Sequence, residues 1–343
     1  MNSNSLAITG TGLVTGVGLD TASSCAAIRA AIDNFEETRF MDAGGEWILG
    51  CEVPLEQPWR GTRKLAKMLA MALTECAETS DIKLVDVPVI LCVAEQERPG
   101  RIDDLGEQVF QETEQELGVK FSYKFNIVEH GRVGGLVALR RARDWIRQGT
   151  APQVIVAGVD SLLSAKVIRE YEERDRILTR ENSDGFIPGE AASAILVEAP
   201  KANNRPQFLC TGIGFGVEQA TIDSEEPLKA EGISAAIREA FQEAKTDMDN
   251  MDFRIVDVSG EQYWFKESAL VVAKFLRVHK EGFPLWHIAD CVGEVGAAVF
   301  GASTAYAKIS YDKAFDDGAN MLQHYSNNDG KRGAAVFRHA VVT

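Results

Sequence analysis

The chain has 343 residues, 45% hydrophobic and 25% charged, a composition that fits a globular protein with a large core and excludes a mainly disordered one. Its formal net charge of −15 argues against a general nucleic-acid surface, since neutralising phosphates takes clustered Lys and Arg; the plainer reading is a soluble, self-repelling surface. Cys25, Cys51, Cys76, Cys92, Cys210 and Cys291 form no CxxC pairs, the N-terminus has no basic n-region and no apolar run is of membrane length, so reduced thiols, no membrane and a cytoplasmic location are expected.

In chain order, the apolar patterning predicts a strand over residues 6–8, helices over 21–32 and 63–78, a strand over 87–93 and a helix over 102–116. A strand over 121–126, a helix over 134–148 and strands over 153–157 and 192–197 follow. Residues 199–206, APKANNRP, break both periods and mark a boundary between halves 1–200 and 201–343. Beyond it come a strand over 207–214, a helix over 232–245, a strand over 254–258, helices over 265–278 and 293–309, and a strand over 334–342. Alternating helices and continuously apolar strands predict an α/β protein whose sheets are covered on both faces.

There is no Walker A pattern, and GTGLVTGVG near the N-terminus carries bulky residues where a dinucleotide loop needs a Gly-led helix. The five histidines, His130, His279, His287, His324 and His339, show no ligand spacing. No cofactor and no metal are expected.

Five segments share a pattern with one family. ITGTGLVTGVGLDTASSCAAIRAA at the start, GRVGGLVALRRARDWIRQGTAPQVIVAGVDSLLS over 131–164, DGFIPGEAASAILVEAP over 184–200, IVDVSGEQ over 255–262 and IADCVGEVGAA over 288–298 resemble, in order, segments of the β-ketoacyl-acyl-carrier-protein synthases of the thiolase superfamily. The resemblance implies a five-layered αβαβα fold with two pseudo-equivalent halves sharing two buried central helices. It also implies dimerisation, as homodimer or heterodimer, through an edge strand near residues 121–127.

The family condenses acyl chains with a Cys thiolate at a helix start and two His that stabilise the developing carbonyl charge. Aligned on these segments, the three positions fall on Arg132, Ser259 and Asp290, and the family's Gly-Phe-Gly-Gly loop falls on DGKRG over 329–333. The expectation is therefore a degenerate, non-condensing site with no catalytic residue. An arginine at a buried helix start needs an anion, and Arg132 is expected to pair with Asp290. The alternatives are that Arg132 reaches solvent while Asp290 caps a helix, or that Arg132 receives a phosphate or carboxylate. A residual acyl-transfer or hydrolytic site would use Cys291, with a depressed pKa, or Ser259, near Glu261 and His130. The Arg140, Arg141, Arg143 and Arg147 cluster reads most simply as a solvated helix face, the alternative being a docking patch for an acidic partner.

Two roles without condensation follow from the resemblance. The favoured one is a binding adaptor, scaffold or chaperone for a protein partner, as in proteins that deliver type VI secretion effectors. The other is a chain-length-factor-like partner of an active ketosynthase, working with an acyl carrier protein in polyketide or aryl-polyene synthesis; such subunits usually keep a Gln at the nucleophile position and much of the terminal loop, both absent here.

Overall fold

The structure, a computed structural model, describes residues 4–122 and 126–342. The first half of the chain runs β1 (Leu6–Thr15), α1 (Thr21–Arg29), β2 (Glu36–Met41), β3 (Trp47–Gly50), α2 (Gly61–Thr79), β4 (Val89–Cys92), α3 (Leu105–Leu117), β5 (Asn126–Val128), α4 (Gly134–Arg147), β6 (Gln153–Ser161), α5 (Ala165–Glu172) and β7 (Glu190–Glu198). The second runs β8 (Pro206–Val217), α6 (Glu231–Ala244), β9 (Phe253–Val256), α7 (Gln262–Phe275), β10 (Leu285–Trp286), α8 (Ala289–Val292), α9 (Val299–Asp312), β11 (Asn320–Ser326) and β12 (Lys331–Val341).

The strand order repeats. β5-β4-β6-β7-β1 in the first half is matched by β10-β9-β11-β12-β8 in the second. In each set the two outer pairs are parallel and the two inner pairs antiparallel. The sets join where β1 and β8 pair antiparallel at Leu6–Cys210 and Ala7–Leu209.

Between the two sets lie α4 and α9. Every residue of α9 from Val299 to Ala307 is buried, as a helix surrounded by protein requires. The central core draws Ile90, Val156 and Ile195 from the first set of strands and Ile213, Phe253 and Phe337 from the second. On the far side of the first set, Leu69 and Leu73 of α2 and Val109 of α3 pack with Leu91, Ile155 and Leu196. On the far side of the second, Ile233 and Ile237 of α6 and Val271 of α7 pack with Leu322 and Val336. Strands covered on both faces explain the continuous apolar runs, and β7 is buried at all nine positions.

Several expectations change. The predicted helix over 293–309 is broken by Gly293 (φ +70) and Gly296 (φ +51), so α8 ends before them and α9 starts after a 3-10 turn. The predicted strand over 121–126 begins at Asn126, at the sheet's edge, and residues 123–125 lie outside the described residues. The arginine face of α4 is not simply solvated: Arg143 is buried against Glu243 at 2.9 Å, and Arg140 pairs with Glu239 at 2.8 Å. All six cysteines are free and buried. No helix among the described residues is long and apolar enough to cross a membrane.

Candidate functional site

α4 and α9 begin alike, each after a 3-10 turn opened by a glycine with positive φ, Gly131 (+47) and Gly296 (+51). A Cβ on Gly131 would lie 2.2 Å from Glu95 Oε2, and one on Gly296 2.0 Å from Asp160 Oδ2, so both glycines are required by conformation and by space. Arg98 bridges the two carboxylates, donating to Glu95 over two 2.8 Å bonds and lying 3.2 Å from Asp160. Ala297 N–H in turn donates to Asp160 Oδ2 at 2.9 Å. A buried ionic cross-link thus runs between the two helix starts: Asp160 is bonded to the turn before α9, and Glu95 lies against Gly131 at the start of α4.

Arg132 follows Gly131 and is buried. Its guanidinium lies 3.3 Å from Glu294 Oε2 and 3.7 Å from Asp257 Oδ2, donates to Asn328 Oδ1 at 3.2 Å, and stacks 4.4 Å over the Trp264 ring. Burial alone would lower the pKa of this arginine; Glu294 and Asp257 reverse that and raise it above the ordinary value. Glu294 also accepts from Ser259 Oγ at 2.8 Å and from Gly296 N–H at 2.9 Å. Its backbone is clamped by Ile187 O and Gly189 N–H, so the DGFIPGE segment sets the position of this carboxylate.

Around this pair, Arg176 forms a bidentate bridge to Glu261 at 2.6 and 2.8 Å, and Trp264 Nε1–H donates to Glu261 at 2.8 Å. Arg332 pairs with Glu267 at 2.8 Å and covers the Trp264 ring at 5.4 Å. The turn between β11 and β12 closes the site: Asn327 accepts from Val133 N–H and donates to His130 O, while Asn328 accepts from Arg132 and Arg176. The space left among Glu95, Arg132, Tyr171, Glu261 and Glu294 is about 10 Å³, room for one water.

Four guanidinium groups, Arg98, Arg132, Arg176 and Arg332, thus face six buried carboxylates, Glu95, Asp160, Asp257, Glu261, Glu267 and Glu294. The excess of negative charge falls on Asp160, whose pKa burial also raises, and above all on Asp257. Burial pushes its carboxyl up to about 7, and Arg132, at 3.7 Å, with one amide bond from Ser326 does not offset this. Glu95 goes the other way: burial raises its pKa, but Arg98 outweighs this and holds it at about 2.

Of the residues singled out in the sequence, the side chains of Arg132, Ser259 and Glu261 come together here, with Arg332 of the 329–333 loop beside them, and His130 takes part through its backbone carbonyl; Asp290 and Cys291 lie elsewhere. The expected Arg132–Asp290 pair is not formed: the Asp290 side chain is 77% exposed and sits 3.5 Å from His287. Asp290 lies on α8 and turns outward, whereas Glu294, in the loop after it, turns in. Cys291 is no activated thiol, since burial, with Asp290 and Asp33, pushes it up to about 11. Burial likewise lowers His130, whose Nδ1 has no partner among the described residues, and Ser259 donates to a carboxylate already engaged by Arg132. Glu95, Arg98, Asp257 and Arg176 were not foreseen. Glu95, Arg98 and Asp257 follow strands and Arg176 follows α5, with no spacing to mark any of them; for Glu294 the signal was its place between Gly293 and Gly296. Among the described residues no group of His, Cys, Asp and Glu is arranged to hold a metal.

The family model for the β-ketoacyl synthase N-terminal domain matches residues 133–202. No curated protein matches the chain. Among solved structures, it is similar to AntDE:AntF, a type II PKS acyl-carrier protein in complex with its ketosynthase bound to the hexaketide (TM-score 0.79, 14% identity, 98% of this chain and 99% of that one). It is also similar to the ishigamide ketosynthase/chain length factor (0.69, 19%, 98% and 99%). A third is the ketosynthase ApeO in complex with its chain length factor ApeC from Xenorhabdus doucetiae (0.77, 12%, 98% and 98%). The chain has the thiolase-like fold of these proteins over almost its whole length.

Proposed function

We propose that this chain is a non-condensing, chain-length-factor-like subunit that acts by binding a ketosynthase-like protein. The observation that carries the reading is Arg132: a buried cation, ion-paired to Glu294 and Asp257 and stacked on Trp264, fills the centre between the two central helices and leaves space for one water. An acyl chain has no room there, and the six thiols are all buried with raised pKa values of about 11 to 12. A chain of this fold without a nucleophile works through a surface, and similar solved structures pair a ketosynthase with a chain length factor. The secretion-adaptor reading has no observation on its side and is not carried forward.

The test has two arms. Incubated with acyl-CoA and acyl-carrier-protein thioesters, the purified chain is expected to show no mass increase, and an acyl adduct on any of its cysteines would overturn the reading. Co-expressed with a ketosynthase from its own host, it is expected to form a stable one-to-one complex whose condensing activity is lost when this chain is omitted.

A further inference from the structure

A second cavity, of about 590 Å³, opens beyond the ionic cross-link, where the first turns of α2 and α5 and the loop before α3 face one another. Arg98 and Asp160 line its inner end and Lys64 its floor, already satisfied by Glu52 at 2.8 Å and by Glu190. The mouth differs. Arg39, Arg60 and Lys166 line it, and none of the three has an ion pair among the described residues; of the lining carboxylates Glu52, Asp103, Asp160 and Glu190, only Asp103 is unpaired. Three cations without an ion pair, Arg39 among them lying 4.6 Å over the Phe40 ring, against one such anion are a local excess of positive charge on a chain of formal charge −15.

Two further features favour the same charge. Helix α2 starts at Gly61 with no side-chain cap on its first amides, and its positive end faces the cavity. The walls between the cations are apolar, with Trp59, Phe40, Leu163 and Ile102 among them. A volume of this size with an apolar wall and a few fixed charges suits a small organic ligand better than a bare ion.

We infer that this cavity binds an amphipathic organic anion, with a phosphate, sulfonate or carboxylate head at Arg39, Arg60 and Lys166 and an aromatic or aliphatic body against Trp59 and Leu163. The inference is independent of whether the chain pairs with a ketosynthase. The probe is 8-anilino-1-naphthalenesulfonate, an aromatic anion whose fluorescence reports binding, with its uncharged counterpart N-phenyl-1-naphthylamine alongside. The full chain is expected to take up one anionic probe, to be competed by inorganic phosphate, and to bind the neutral probe at least about ten-fold more weakly. Reversing Arg60→Glu and Lys166→Glu together is expected to weaken the anionic probe about ten-fold or more, with Arg39→Ala weakening it less. Arg205→Glu, an exposed reversal elsewhere, serves as control, and circular dichroism confirms that each variant is folded. Equal binding of the neutral and anionic probes, or unchanged affinity in a folded double variant, would overturn the inference.

Discussion

Arg132 is the residue on which the centre of the molecule turns, because removing it leaves Glu294 and Asp257 buried with no other ion pair among the described residues. Arg132→Ala is expected to destabilise the protein by about 3–5 kcal/mol in urea unfolding, and Arg132→Met combined with Glu294→Gln by clearly less, since removing both charges avoids the uncompensated one. A loss under about 1 kcal/mol in the alanine variant would mean that water already screens the pair. Two other residues set opposite pH dependences. His324 is buried with neither ring nitrogen partnered among the described residues, and burial, with Arg254 and Arg332, lowers it to about 3 from 6.5. The unfolded chain therefore binds a proton that the folded one refuses, and this contribution to stability falls as pH drops from 6.5 towards 3. Asp257, raised to about 7 from 3.8, keeps a proton when folded that it releases when unfolded, so its contribution falls as pH rises from about 4 to 7. Relative to wild type, His324→Leu should lose stability with rising pH between about 4.5 and 6 and Asp257→Asn should gain it, each with a slope of up to ~1.4 kcal/mol per pH unit. Parallel curves for both variants would show that neither group is perturbed. The sequence announced Arg132 as an anomaly but not its partners: which carboxylate turns inward, Asp290 or Glu294, depends on the backbone reversal at Gly293 and Gly296, and hydrophobic periodicity carries no information about that.

At the scale of elements, the starts of α4 and α9 rest on one glycine each, and Gly131 offers the cleaner test. Alanine there would have to hold φ near +47 and put its Cβ 2.2 Å from Glu95 Oε2, displacing the carboxylate that Arg98 grips. Gly149, just past the end of α4, has a similar φ of +73 but nothing within 4 Å of an added Cβ. Gly149→Ala is therefore expected to cost about 1 kcal/mol, the conformational penalty alone, and Gly131→Ala at least about 2 kcal/mol more. Equal urea midpoints in the two variants would show that the Glu95 contact gives way freely. Elements with a strong period were legible from sequence: α2 and α6 were foreseen to within two residues at either end, and β6 and β7 at their apolar cores. The elements missed have physical reasons. β11 reads NMLQHYS and buries Gln323, His324 and Ser326, so no apolar run marks it. β2, EETRFM, is exposed or half-exposed throughout, and α5 is only eight residues long, with Val167, Ile168 and Tyr171 buried.

For the whole molecule, the repeated strand order invites the view that residues 1–200 and 201–343 are separate domains, but the packing argues that they unfold as one. Among the described residues the two sets of strands share few hydrogen bonds, only the short β1–β8 pairing at Leu6 and Ala7. What joins them is the core around α4 and α9, to which both sets contribute inward-facing residues, and the ion pairs within it also cross: Arg132 and Arg176 belong to the first half, Asp257, Glu261 and Glu294 to the second. A fragment ending at residue 200 would leave α4 without α9 and expose Ile90, Val156 and Ile195 to water, together with two buried arginines stripped of their carboxylates. It is expected to be insoluble or to lack cooperative unfolding. In the full chain, hydrogen exchange should give the amides of β6 and β11 the same free energy of opening, because neither strand keeps its central-facing cover when the other half is lost. Values more than about 2 kcal/mol apart would mean that one half survives the loss of its partner, and that the shared core is an interface between two stable units rather than the single core of one.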